Sequence, residues 1–295
     1  MNNLVFDIGG TSIKYGVCED NSLTGINEIP TNASKGGAHI LETVISLIRS
    51  QSDYDAIGIS TAGQVHAKEG YIIYANQNIP NYTGIRFKDT LEELFHVPVA
   101  VENDVNAAAL GEAIYGAGRD YEQFLMLTYG TGVGGAVITN REVFHGSSYS
   151  ASEFGAIITH SDARLAGSDF FDGCYEKYAS TTGLVQMVTQ YRPKLDTGRK
   201  IFDNLSDDTV MEIIDKWVDE IMLGLSTLTH IYNPSCIILG GGIMTQPLIL
   251  QKIEKKRSHF IMPNFAHVHI IAAALGNSAG ILGANYLAAQ LLERR

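Results

Sequence analysis

Two stretches of this chain share one uncommon pattern that restricts the fold more than any other feature. "LVFDIGGTSIKYGV" (4–17) and "FLMLTYGTGVGGAVITN" (124–140) each read as an apolar run, a turn of glycine and threonine, and a second β-branched run. Strand, tight turn, strand is the reading for both. Their separation of about 120 residues points to two similarly built halves, or to two turns that match by chance. Without Cβ atoms the backbone N–H groups of such turns can close on a phosphate, and the Thr131 hydroxyl adds a donor. Gly130, Gly132 and Gly135 also satisfy G-x-G-x-x-G, the dinucleotide fingerprint, which requires a helix after the turn. The residues that follow, "AVITNREVFHG", carry a polar break between two apolar runs and read as a hairpin. A phosphate loop and a ligand-free hairpin are the two readings left by this stretch.

The 295 residues suffice for two ordinary domains or one large one. With 45% apolar and 18% charged residues the chain reads as folded and soluble. Its net charge of −11 opposes an electrostatic grip on nucleic acid or anionic membrane. A small phosphorylated ligand, which needs only local donors, stays allowed. Cys18, Cys174 and Cys236 are far apart and read as reduced thiols, with Cys18 and Cys236 packing as small apolar residues. No leader precedes "LVFDIGG", and no apolar run reaches the ~20 residues of a spanning helix. A cytoplasmic location is the expectation.

Along the chain, "GAHILETVISLIRSQ" has helical periodicity, "YDAIGIST" reads as a buried strand and "TLEELFH" as a short helix. "VPVAVEND" is a strand and "VNAAALGEAIYGAG" a helix. Asn103 and Asp104 therefore fall at the carboxyl end of a strand, where α/β sheets place ligands. An Asp before a helix is equally an N-cap. "DTVMEIIDKWVDEIMLGLSTLTHIYN" is a long helix with Trp217 in its core face, and "PSCIILGGGI" a strand ending in Gly240, Gly241 and Gly242, for close approach of a ligand or a simple turn. "HVH" at 267–269 places two imidazoles on one face of a strand, a metal pair or two ordinary histidines. Small residues at Gly276, Ala279, Gly280 and Gly283 let a terminal helix pack closely. No linker separates the halves, which reads as a hinged pair.

Five motifs in register, "DIGGT" (7–11) with Lys14, "ENDVNAAALGE" (102–112), "GTGVGG" (130–135), "LGGGI" (239–243) and "LGNSAGILGA" (275–284), resemble the ROK family of sugar kinases and repressors. The match covers nearly the whole chain. The resemblance implies an α/β fold of the actin-like ATPase type: ribonuclease H-like, hexokinase-type, a duplicated two-domain arrangement with a central cleft. It places a smaller α/β domain at 1–117, to which a helix at 284–295 returns, and a larger one at 118–283. The two glycine turns become the loops that hold the phosphates of ATP.

Position by position, Asp104 matches the catalytic base on the sugar's 6-hydroxyl, and Asn103, Gly63, Asn78, Glu153 and Glu176 match sugar-binding positions. Asp7 matches the carboxylate that organises Mg²⁺ through water. Gly9, Gly10, Thr11, Lys14, Gly130, Thr131 and Gly132 fall on the phosphate side, and Gly241 and Gly242 at the nucleoside end. The implied activity is an ATP-dependent sugar 6-kinase acting on a hexose or a β-glucoside, as a homodimer. N-acetylmannosamine kinase is the alternative. The family's repressors carry a helix-turn-helix domain ahead of the first loop, for which the six residues before Asp7 leave no room.

One departure stands out. Many members bind zinc through a histidine three residues after the first glutamate and three cysteines; here those positions are Ala156, Gly167, Asp169 and Cys174. One thiolate and one carboxylate are too few for a structural zinc, and His160 lies four residues late, so no zinc site is expected. Ala156 also leaves the anomeric side of the sugar open for a second sugar unit, unless packing around Phe154 closes it.

Overall fold

The computed structural model describes residues 2–19 and 22–293. The chain divides into two compact units: Met1–Arg119, Arg141–Ala151 and Asn277–Arg295 form one, Asp120–Asn140 and Ser152–Gly276 the other. The segment Arg141–Ala151 thus groups with the first unit, although it lies inside the half that the sequence boundaries assign to the second.

The first unit begins with strands β1 (Asn2–Ile8), β2 (Ser12–Glu19) and β3 (Ser22–Pro30), then helix α1 (Gly37–Arg49) and strand β4 (Ala56–Thr61). A short ribbon, β5 (Gln64–His66) with β6 (Tyr71–Tyr74), precedes α2 (Phe87–Phe95), β7 (Val99–Asn103) and α3 (Asp104–Tyr115). The main sheet has the order β3-β2-β1-β4-β7. Leu4, Val5, Phe6 and Ile8 of β1 are all buried, so this central strand reads as a continuous apolar run rather than an alternation. On α1, Ile40, Val44 and Ile48 recur every four residues and bury one stripe against the sheet's core cluster.

The second unit holds β8 (Gln123–Tyr129) and β9 (Val133–Thr139). The chain then turns through Asn140 and Arg141, at left-handed φ of 54° and 62°, into β10 (Glu142–Val143). This is the hairpin read from the sequence, and it removes the dinucleotide reading of the glycine turn. Beyond it come α4 (Tyr175–Ala179), α5 (Thr181–Thr189), α6 (Gly198–Phe202), α7 (Asp208–Tyr232), β11 (Cys236–Gly240), α8 (Pro247–Phe260) and β12 (His269–Ala272). The unit's four strands run in the order β9-β8-β11-β12. Trp217 on α7 is fully buried and donates its indole N–H to the carbonyls of Ala179 and Ser180 at 3.0 and 3.1 Å.

The two sheets repeat one topology. β1 pairs antiparallel with β2 and parallel with β4, and β4 parallel with β7. Likewise β8 pairs antiparallel with β9 and parallel with β11, and β11 parallel with β12.

The chain returns to the first unit with α9 (Ala279–Glu293); Arg294 and Arg295 of the helix expected at 284–295 lie outside the described residues. A Cβ on Gly111 of α3 would strike the carbonyl of Ala279, and one on Gly283 of α9 that of Ala107. The two helices therefore meet backbone to backbone, which only their small residues permit.

The "HVH" expectation is corrected. Only His269 lies in β12, its Nδ1 2.7 Å from the Tyr121 hydroxyl, while His267 precedes the strand and pairs with the carbonyl of Asn264 at 3.2 Å.

Candidate active site

Register brings a row of polar side chains to the carboxyl ends of the parallel strands in the first sheet. Lys14 of β2 faces Asp7 of β1, Asp7 faces Ser60 of β4, and Ser60 faces Glu102 of β7. The Ser60 hydroxyl donates to Asp7 Oδ1 at 2.7 Å. Burial raises the Asp7 carboxyl above its ordinary range, while the Ser60 bond and Lys14 pull it back. After β1 the chain reverses through Gly9, Gly10 and Thr11. Gly9 N–H donates to the Ser12 carbonyl at 2.9 Å, and the Thr31 hydroxyl fastens the Gly9 carbonyl at 2.7 Å.

One position further along β7, Asn103 keeps an extended backbone and caps α3, its Oδ1 accepting from the Val105 and Asn106 N–H groups at 3.0 and 3.1 Å. The capping role that the sequence left open for Asp104 thus belongs to Asn103. Both Asn103 amide hydrogens are also used: Nδ2 donates to the carbonyl of Gly63 and to Asp104 Oδ1, each at 2.9 Å. Asp104 is the first helical residue, and Val105 N–H gives its Oδ1 a second bond at 2.9 Å. Its carboxyl is pushed up to about 6, first by burial and then by the charge of Asp7, against the bonds from Val105 and Asn103. Gly63 sits at φ 94°, and Asn78 is exposed on a loop, with its N–H on Asn76 Oδ1 at 3.1 Å.

In the second unit Glu176 is wedged between glycines. A Cβ on Gly155 would come 2.9 Å from its Oε2, and one on Gly132 would collide with it. Val133 N–H donates to the same oxygen at 3.3 Å. Burial raises the Glu176 carboxyl, Val133 lowers it and the neighbouring Glu153 raises it again. Glu153 itself is exposed, while Phe154 is buried in the unit's core beside Tyr232, its ring on the spot a Gly135 Cβ would need.

Gly130 and Thr131 line a cavity of about 780 Å³, whose walls also include Thr181, Gly198, Gly242 and Gln246. That volume suits a nucleotide-sized ligand. Gly241 stands at φ 97° against the backbone of Tyr129 and turns β11 into this wall.

The positions that would hold zinc do not fit it. The Cys174 thiol donates to the Ala156 carbonyl at 3.4 Å, and a guanidinium nitrogen of Arg164 lies 3.5 Å from its sulfur. Asp169 instead accepts the Phe171 N–H, and His160 stacks on Tyr178 at 3.8 Å and faces Glu220 at 3.5 Å. Among the described residues no three His, Cys, Asp or Glu side chains gather as metal ligands.

The ROK family model matches residues 4–291. The chain belongs to the ROK family. Among its ROK relatives, the beta-glucoside kinase of Listeria monocytogenes serovar 1/2a is 32% identical over 294 residues, covering 97% of each chain. The Lmo2764 protein of Listeria monocytogenes, described as a candidate N-acetylmannosamine kinase, superposes with a TM-score of 0.89 at 29% identity, covering 100% of both chains. A ROK family glucokinase from Streptomyces griseus, solved with glucose and AMPPNP, gives a TM-score of 0.83 at 29% identity, covering 98% of this chain and 100% of its own. The repeated topology above is accordingly the actin-like ATPase fold of the ROK kinases.

Sequence reasoning missed Ser60, Glu102 and the cavity walls Thr181, Gly198 and Gln246. Ser60 was readable only as a polar residue inside the strand "AIGIST"; the cavity walls carry no local signal.

Proposed function

We propose that this ROK carbohydrate kinase transfers the γ-phosphoryl group of ATP to the 6-hydroxyl of a hexose or a β-glucoside, with Asp104 as general base. The observation that carries the reading is the Asp104 carboxylate, fixed by Asn103 and Val105 at the strand-to-helix junction, where burial pushes its pKa up to about 6. A base with a pKa close to the working pH combines the deprotonated form with useful proton affinity. In the proposed reaction Asp104 takes the proton as O6 attacks the γ-phosphorus, and the bond from that phosphorus to the bridging oxygen breaks to release ADP.

The remaining assignments follow the chemistry of the donors. Glu153 and Glu176 would hold ring hydroxyls, each able to accept from two, with Gly63 and Asn78 on the sugar side. Asn103 would release one of its two amide bonds to reach a sugar hydroxyl. The backbone of Gly9, Gly10, Thr11, Gly130, Thr131 and Gly132, with Lys14, would hold the phosphates, and Gly241 and Gly242 the nucleoside end in the cavity of the second unit. Asp7 offers hard carboxylate oxygens, the donor type Mg²⁺ requires, and would hold the ion through water. Mg²⁺ there would offset charge on the transferred phosphoryl group.

Ala156 favours β-glucosides beside free glucose, because a methyl group takes less space at the anomeric side than an imidazole. A second reading, N-acetylmannosamine kinase, is favoured by the likeness to the Listeria structure of that description; the two differ at C1 and C2 of the sugar. The test is ADP release with ATP and Mg²⁺ over glucose, N-acetylmannosamine, N-acetylglucosamine, fructose, cellobiose and gentiobiose. Turnover of glucose or the disaccharides, lost in Asp104→Asn, is expected. Turnover of N-acetylmannosamine alone would select the second reading, and silence across the panel would overturn both.

A further inference from the structure

Between Glu153 and Glu176 the chain runs through a segment with only short turns of helix, and what closes it is a side chain. The Arg164 guanidinium donates to the Phe170 carbonyl, donates to the Asp172 carbonyl at 3.2 Å, and lies 3.5 Å from the Cys174 sulfur. It also covers the Phe170 ring at 5.0 Å. Cys174 passes the tie on, because its thiol donates to the Ala156 carbonyl, three residues after Glu153, and Cys174 itself stands two residues before Glu176. Tyr175 N–H donates to the Ile157 carbonyl at 2.8 Å, and the Thr159 and His160 N–H groups converge on the Gly173 carbonyl at 3.0 and 3.1 Å.

We propose that Arg164 is a built-in cation that closes this segment and sets Glu153 and Glu176 for the sugar, doing with a guanidinium what a bound metal would otherwise do. Arg164 is a positioning residue, and the proposal rests on the sugar-binding reading of the two glutamates. The physical ground is the donor set. One guanidinium nitrogen, Nη1, turns its two N–H groups to the two carbonyls with the sulfur beside it, while the flat face of the same group lies over the Phe170 ring. Its charge also opposes metal entry at the one thiol of the segment. A lysine ammonium is a point charge with no plane, so it cannot hold the two carbonyls and at the same time lie flat over the Phe170 ring.

The test uses the full chain with Arg164→Met, which keeps the bulk and removes the charge, and Arg164→Lys, which keeps the charge and removes the plane. Wild-type protein is expected to carry no stoichiometric metal besides added Mg²⁺ and to keep its activity in 1,10-phenanthroline. Both variants are expected to raise the sugar KM ten-fold or more with the ATP KM within two-fold, and to speed amide deuterium exchange across 157–174. Millimolar guanidinium ion is expected to restore part of the sugar affinity of Arg164→Met. Stoichiometric zinc with loss of activity on chelation would overturn the proposal. So would a wild-type sugar KM and exchange rate in both variants, or a parallel loss of sugar and ATP binding, which would mark general unfolding. Metal content and exchange are read without turnover, so failure here is distinct from failure of the kinase assignment, which the wild-type sugar panel decides alone.

Discussion

Nε2 of His145 lies 2.7 Å from Oε2 of Glu102, while Oε1 of the same glutamate accepts from the Asn103 N–H at 2.9 Å and the Asn106 amide at 3.1 Å. A buried carboxylate next to the helix cap is thereby satisfied at both oxygens. Removing one partner of such a group leaves its desolvation uncompensated. His145→Ala is expected to lose about 1–3 kcal/mol of stability in denaturant unfolding. His145→Ala combined with Glu102→Gln should recover part of that loss, because the stranded charge is gone. Additive losses in the double-mutant cycle would show that the pair is not coupled.

Asp104 gives a pH prediction with a definite sign. Its carboxyl titrates at about 6, and the deprotonated form is the base. The kcat/KM of the wild type is expected to fall ten-fold per pH unit below about 6 and to level off above it. Asp104→Asn should lower turnover by about 10²-fold or more with the fold intact. Because burial raises this pKa, the ionised form weakens the folded state as pH rises through about 6. The Asn variant is therefore expected to melt higher than wild type at pH 8, with the difference closing toward pH 4. Differential scanning calorimetry across that range reads it.

Asn103 carries three tasks at once: it caps α3, holds the Gly63 carbonyl and donates to Asp104. Asn103→Ala is expected to cost about 1 kcal/mol through the cap. It should also move the apparent pKa of kcat/KM upward, since the Asn103 bond is one of the interactions that lowers the Asp104 pKa. An unshifted pH profile would separate the cap from the chemistry.

Gly241 stands at φ 97°, with Tyr129 backbone where a Cβ would go. Gly241→Ala adds strain of about 1–3 kcal/mol at the wall of the nucleotide-sized cavity. The ATP KM is expected to rise about ten-fold or more, an energy of about 1.4 kcal/mol, while the sugar KM changes little. Steady-state kinetics with each substrate varied in turn would check it.

Local chemistry was legible in the sequence where one turn or one strand end carries it. The glycine turns after β1 and β8, the helices α1, α3 and α7, and the place of Asp104 at a strand-to-helix junction all follow from nearest neighbours along the chain. Asn103 and Asp104 show where that reading ends. Either residue type can cap a helix, and only the observed backbone decides that Asn103 does so, leaving Asp104 its carboxylate. Ser60 and His145 were missed because their partners, Asp7 and Glu102, are reached through sheet register and a distant loop. Arg164 was missed for a similar reason: its partners are carbonyls, which have no signature in sequence. Missing zinc ligands could be counted along the chain, but not what took their place.

The backbone contact between α3 and α9 has a consequence for how the protein is made. Every residue of the second unit lies between these two helices in sequence. A chain leaving the ribosome exposes the Ala107 and Gly111 face of α3 long before Ala279 and Gly283 arrive to cover it. The first unit, although it begins first, is completed after the second has been synthesised, so the helix bearing Asp104 gains its final support as a late event of assembly.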